Sequence, residues 1–133
     1  MEKLKKKVII DTNFLLIPGQ FKVDIFSEIE KLMPEPYDLC IVEKTIGELE
    51  RIVMSAKQAD KFAAKLALVL AAQKGLKRLP SSKDKVSADD DIVDASDENT
   101  YVATQDSLLR KRVAKKRGKV IGLRQKKYLA VMD

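Results

Sequence analysis

The run Val8-Ile9-Ile10 passes directly into Asp11-Thr12-Asn13. Three apolar β-branched residues are followed by three that favour turns and caps, which predicts a short buried strand presenting Asp11 at its carboxyl end. Downstream, Pro18 and Gly19 interrupt the next segment. Val23, Ile25, Phe26, Ile29, Leu32 and Met33 then keep helical spacing over 23–33 until Pro34 and Pro36 stop it. Leu39-Cys40-Ile41-Val42 is a second strand, and helical period returns from Thr45 with Ile46, Leu49, Ile52 and Val53. Residues 58–73 are nearly all strong helix formers, with Gly75 as the stop. Leu79 to Val86 is polar and reads as an exposed loop, Ser87 as the N-cap of a helix over 88–97. Thr100 to Thr104 is a third strand, Ser107 to Lys116 a basic helix, and Lys119 to Leu123 a fourth strand. Strands alternating with helices predict an α/β fold, a three-layer α/β/α sandwich around a parallel sheet of four to five strands, with its site at the carboxyl strand ends.

The chain has 133 residues, enough for one core, so a single domain is expected, with a basic leader over 1–7 and a basic segment over 106–133. A lone Cys40 and no His exclude an internal disulfide, an imidazole base and a His-containing zinc site. Cys40 reads as a small core residue. The start lacks the apolar stretch of a secretory signal, and no run has the length of a membrane span, so a cytoplasmic protein without a membrane partner is expected. Net charge is +6, and residues 106–133 carry ten basic side chains against two acids. Six acids crowd into Asp89, Asp90, Asp91, Asp94, Asp97 and Glu98. A basic arm beside an acidic knot points to a polyanionic partner.

On the expected scaffold Asp11 closes the first strand, Glu48 lies in the helix after the second, Asp89 to Asp91 open a helix and Asp106 follows the third strand. All can meet at one edge. Carboxylates drawn together repel unless a hard cation neutralises them, and oxygen donors suit Mg²⁺ or Mn²⁺. One or two such ions can run phosphodiester hydrolysis without any His.

Four segments in order, Val8-Ile9-Ile10-Asp11-Thr12-Asn13, Ile46-Gly47-Glu48-Leu49, Ala88-Asp89-Asp90-Asp91-Ile92 and Tyr101-Val102-Ala103-Thr104-Gln105-Asp106-Ser107-Leu108-Leu109, resemble the PIN-domain nucleases over nearly the whole chain. The DTNF, ADDDIV and YVATQD phrases are most similar to the pre-ribosomal-RNA endonucleases of the small-subunit processome and their archaeal relatives. The resemblance implies a metal-dependent endoribonuclease acting on single-stranded or exposed RNA, in ribosomal RNA processing, leaving a 5′-phosphate and a 3′-hydroxyl. By position it implies Asp11, Glu48, Asp89 and Asp106 as catalytic metal ligands, with Asp90 sharing or replacing the role of Asp89. Thr12, Asn13 and Thr104 resemble polar residues that orient carboxylates. Related domains often pair, so a homodimer is expected.

Each residue also has an ordinary role. Asp11 can be a turn residue and Asp106 a helix N-cap. Glu48 and Glu50 flank the apolar face of their helix at comparable angles, and only the motif favours Glu48. Asp91 and Asp94 are expected merely to complement a helix dipole. Arg110, Lys111, Arg112, Lys115, Lys116 and Arg117 can be a solvated helix face, or can bind RNA phosphates through counterion release. Two rival readings share the fold: a toxin ribonuclease held by an antitoxin, and a catalytically silent RNA-binding assembly factor within a ribonucleoprotein.

Overall fold

The structure, a computed structural model, describes residues 5–55, 57–81 and 87–132. Its centre is β1 (Lys6–Ile10), flanked on one side by β2 (Tyr37–Val42) and β3 (Lys77–Leu79). On the other side lie β4 (Thr100–Ala103), β5 (Lys119–Arg124) and β6 (Tyr128–Met132). Neighbours pair in parallel except β5 and β6, which form an antiparallel hairpin. The strands are apolar on both faces because helices cover both. Val8 and Ile10 point into one core, with Phe14, Ile25, Ile29, Leu49 and Ala63. Ile9, one residue out of phase, points into the other with Cys40, Ile92, Leu109 and Val113. The first core is roofed by α1 (Thr12–Leu15), α2 (Ile17–Phe21), α3 (Ile25–Leu32), α4 (Glu43–Val53) and α5 (Gln58–Gln73). The second is covered by α6 (Ala88–Ala95) and α7 (Ser107–Lys115). This is the expected α/β/α sandwich, and Cys40 is buried in it as expected.

The sheet has six strands among the described residues, against an expected four to five. β3 escapes a reading of the sequence because it is an edge strand of Lys77, Arg78 and Leu79 with its two basic residues exposed, and an edge needs no apolar run. β6 escapes it because the hairpin lacks the usual Asn-Gly signal: Gln125 and Lys126 take the positive φ values instead, 53° and 56°. Pro18 and Gly19 do not break the chain as expected but lie inside α2. Pro18 sits in its first turn, where no N–H is needed. Gly19 lets α5 come close, since a Cβ there would stand 2.6 Å from the Ala63 Cα.

Element ends shift modestly. α3 begins at Ile25 with Asp24 as its cap, accepting from the Ser27 N–H at 3.1 Å, and α4 begins at Glu43. α6 starts where expected, the Ser87 hydroxyl accepting from the Asp90 N–H at 3.4 Å, and stops at Ala95, whose carbonyl accepts from Lys7 Nζ at 2.8 Å. Of the expected loop, Leu79 belongs to β3 and residues 82–86 lie outside the described residues. Of the basic leader, residues 1–4 lie outside them too, and Lys6 and Lys7 are part of β1. No helix among the described residues is long and apolar enough to cross a membrane.

The chain runs outward from β1 to β3, then returns to β4 and runs outward the other way. The carboxyl ends of β1 and β4 therefore form the topological switch point where open parallel sheets open a crevice. Asp11 follows β1 there, its N–H donating to the Ala103 carbonyl at 3.0 Å.

Candidate functional site

Asp11 is 6% exposed. Its Oδ2 accepts from the Thr104 hydroxyl at 2.8 Å, and Thr104 Oγ1 in turn accepts from the Asp106 N–H at 3.0 Å. One threonine thus locks the acids that follow β1 and β4 to each other. Asp106 caps α7 through Oδ1 alone, which accepts from the N–H groups of Leu108 at 2.8 Å and Leu109 at 3.2 Å. Its Oδ2 is left outside the cap, so capping does not use up the carboxylate.

On α4, Glu48 is half-buried and Glu50 is exposed. Glu48 Oε1 accepts from the Thr12 hydroxyl at 2.5 Å, and the buried Thr45 hydroxyl lies 3.2 Å from the same Thr12 oxygen. Thr12 therefore fixes the helix acid against the strand end. The angles left open by the helical wheel are resolved by where β1 stops.

Asp89 completes the group from the first turn of α6. Burial pushes its carboxyl above the ordinary range, and Asp106 and Glu48 push it further, with Arg112 pulling the other way. Asp11 rises from 3.8 to about 6, first through burial, then through Asp89 and Glu48, against the Thr104 hydroxyl and the Thr12 backbone. Asp11 thus feels Asp89 and Glu48, and Asp89 feels Asp106 and Glu48, so carboxylates from four elements face one edge, a pattern typical of functional sites. Among the described residues no group of three acids stands at ligating distance of a common point. The donor set nevertheless fits a hard divalent cation: all oxygen, mutually repulsive and held by hydrogen bonds from the other side.

The neighbouring acids part company. Asp90 Oδ1 accepts from Arg112 of α7 at 2.9 Å. Asp91, expected merely to complement the helix dipole, is 4% exposed and paired with Lys44 at 2.7 Å. Its carboxylate ties α6 to α4 beneath the site. Sequence reasoning misses Lys44, although a lysine in a helix's first turn opposes the dipole and so hints at an acid partner. Asp94 is exposed. Asn13 is exposed as well, and its side chain hydrogen-bonds no described residue, so it orients no carboxylate here.

Lys111, Arg112, Lys115, Lys116 and Arg117 are exposed on α7 and its exit, while Arg110 is half-buried. Arg110 shares a cleft of about 130 Å³ with Thr104, Asp106 and Arg124. Arg110 thus borders Asp106, while Arg112 acts on Asp89. Arg112 has part of its charge spent on Asp90.

A parallel sheet with helices on both faces and carboxylates at its switch point defines a class of α/β proteins with acidic strand-end sites. Residues 8–126 match the PIN-like domain family, and the chain belongs to it. It is similar to ribonuclease VapC4 of Methanocaldococcus jannaschii, 30% identical over 94% of this chain and 95% of that protein. It is also similar to the rRNA-processing protein fcf1 of Schizosaccharomyces pombe, 34% identical over 81% of this chain, which spans only 53% of that protein. The solved structure of the PIN domain endonuclease Utp24 superposes with a TM-score of 0.76 at 27% identity, covering 94% of this chain and 90% of that one.

Proposed function

We propose that the chain is a divalent-metal-dependent endoribonuclease, with Asp11, Glu48, Asp89 and Asp106 as the residues that hold Mg²⁺ or Mn²⁺. The observation that carries this is the group of acids from four elements at the switch point, with Asp11 and Asp89 displaced upward by burial and by their acidic neighbours. When bound, such an ion polarises a phosphoryl oxygen and lowers the pKa of its water. The protein's part is preorganisation. Thr104 holds Asp11, Thr12 holds Glu48, and the α7 amides hold one oxygen of Asp106, so these acids meet substrate with little rotamer freedom left to lose. Arg110 beside Asp106 is placed to receive a phosphate oxygen of the bound strand. Lys111, Lys115, Lys116 and Arg117 extend the positive surface along the backbone path.

Ribosomal RNA is the substrate class we infer, on the likeness to the fission yeast rRNA-processing protein and to the Utp24 endonuclease. A ribonuclease held inactive by a small protein inhibitor is a second reading, favoured by the end-to-end match to ribonuclease VapC4. Co-purification of a small partner that blocks cutting would select it.

The test is cleavage of a partly single-stranded RNA in Mn²⁺ or Mg²⁺, beside a chelator control and Asp11→Asn, with the cut ends mapped. Cutting that leaves 5′-phosphates and vanishes in both controls is expected. RNA binding that weakens with salt, without cutting in either metal, would replace the enzyme by a silent assembly factor.

A further inference from the structure

Beside the acids opens a pocket of about 500 Å³, bordered by Asn13, Gln20, Phe21, Gln105, Leu123 and Gln125, a volume ordinary for small-ligand sites. It adjoins the candidate site: Gln105 and Leu123 also line the cleft that holds Thr104 and Asp106, and Asn13 lies two residues after Asp11. Gln105 is committed to structure. Its Oε1 accepts from the Leu123 N–H at 2.6 Å, and its Nε2 donates to the Leu123 carbonyl at 3.3 Å. The side chain acts as a further rung on the end of β5 and closes the pocket on that side.

The other three amides are uncommitted. Asn13, Gln20 and Gln125 are exposed, and their side chains hydrogen-bond no described residue. Each carries both donors and an acceptor, the pattern that matches the edge of a base. Phe21, 39% exposed, supplies an aromatic ring, and Lys126 Nζ stands 5.5 Å from its centroid. Lys126 is placed there by the β5–β6 turn, closed by the Lys127 N–H on the Arg124 carbonyl at 3.0 Å, with Gln125 and Lys126 both at positive φ. Non-glycine residues in that conformation are uncommon, and here they bring one amide and one cation to the pocket.

We propose that this pocket receives one unpaired nucleobase of the RNA strand whose adjoining phosphodiester lies at the Asp11 cluster. The inference rests on the ribonuclease reading above and adds to it a base-binding subsite. The base takes the position over the Phe21 ring that the Lys126 ammonium holds in the free protein, and the released cation meets the neighbouring phosphate. Gln20 and Gln125 contact the base edge. A base stacked in a duplex cannot enter, so the pocket selects single-stranded RNA.

The test uses short single-stranded RNAs carrying a fluorescent adenine analogue at each position in turn, titrated with the full chain in chelator so that nothing is cut. Quenching at one position is expected. Phe21→Ala should abolish that quenching and weaken binding about tenfold, the scale of one lost base–aromatic stack. Gln125→Gly suits the positive φ and should fold at least as well as the parent, while Gln20→Ala combined with it flattens the preference among the four bases at that position. An abasic residue bound as tightly as the intact nucleotide, or quenching unchanged in a natively folded Phe21→Ala, would overturn the proposal. Cutting in Mn²⁺ that ignores both Phe21 and the abasic site removes the subsite and leaves the nuclease. Phe21-dependent quenching without cutting in either metal removes the nuclease and leaves a base-binding pocket.

Discussion

Replacing Asp11 by Asn should stabilise the metal-free protein while abolishing cleavage. Folding raises the Asp11 carboxyl from 3.8 to about 6, chiefly by burial. A raised acid pKa means that the folded state holds its proton more tightly than the unfolded state. The cost to stability is absent below pH 4, grows between pH 4 and 6, and is complete above 6. A rise of that size corresponds to about 3 kcal/mol. Asparagine keeps an oxygen to accept from Thr104 and removes the buried charge beside Asp89 and Glu48. Urea unfolding in chelator should therefore place Asp11→Asn about 3 kcal/mol above the parent at pH 7.5, a midpoint shift of about 1 to 2 M. The gap should close as pH falls to 4. Mg²⁺ should raise the parent's stability and leave the variant nearly unmoved. A gap that is absent at pH 7.5, or that does not change between pH 4 and 7, would refute the electrostatic account of the site.

Further outcomes rest on single contacts. Asp106→Asn should keep the α7 cap and lose cleavage, whereas Asp106→Ala should lose cleavage and about 1 kcal/mol of stability as well, separating the two roles of that residue in one urea series. Lys44→Ala, by removing one charged partner of the buried Asp91, should cost about 2 kcal/mol in urea unfolding, and Lys44→Met with Asp91→Leu should recover part of it. Gly19→Ala should destabilise by about 2 kcal/mol, because its Cβ would meet the Ala63 backbone of α5. In RNA binding, Lys115→Ala and Lys116→Ala should each lower the slope of log affinity against log salt by about 1, while Arg112→Ala changes it less because Asp90 already shares its charge.

Much of the architecture follows from local pattern alone. Val8 to Ile10, Leu39 to Val42 and the stretch around Val102 are continuous apolar runs because their strands are covered on both faces, and such runs are visible without any partner. The caps Ser87 and Asp106 are equally local, since each bonds N–H groups two or three residues away. The acids Asp11, Asp89 and Asp106 could be placed at strand and helix ends for the same reason.

Other features depend on residues far away in the chain, and only the packed molecule settles them. Edge strand β3 carries a weak pattern because one side of it faces no further strand, while the apolar run of β6 follows a turn without the usual hairpin signal, and their pairing is fixed by β2 and β5. Glu48 and Glu50 are equivalent on an isolated helix, and only the distance from α4 to Thr12 separates them. Asp89, Asp90 and Asp91 are three identical side chains in a row. Helical geometry sends them about 100° apart, one toward Glu48 and Asp106, one to Arg112 and one to Lys44. A sequence of three aspartates holds no record of that division, because it is made by which helix lies across from each.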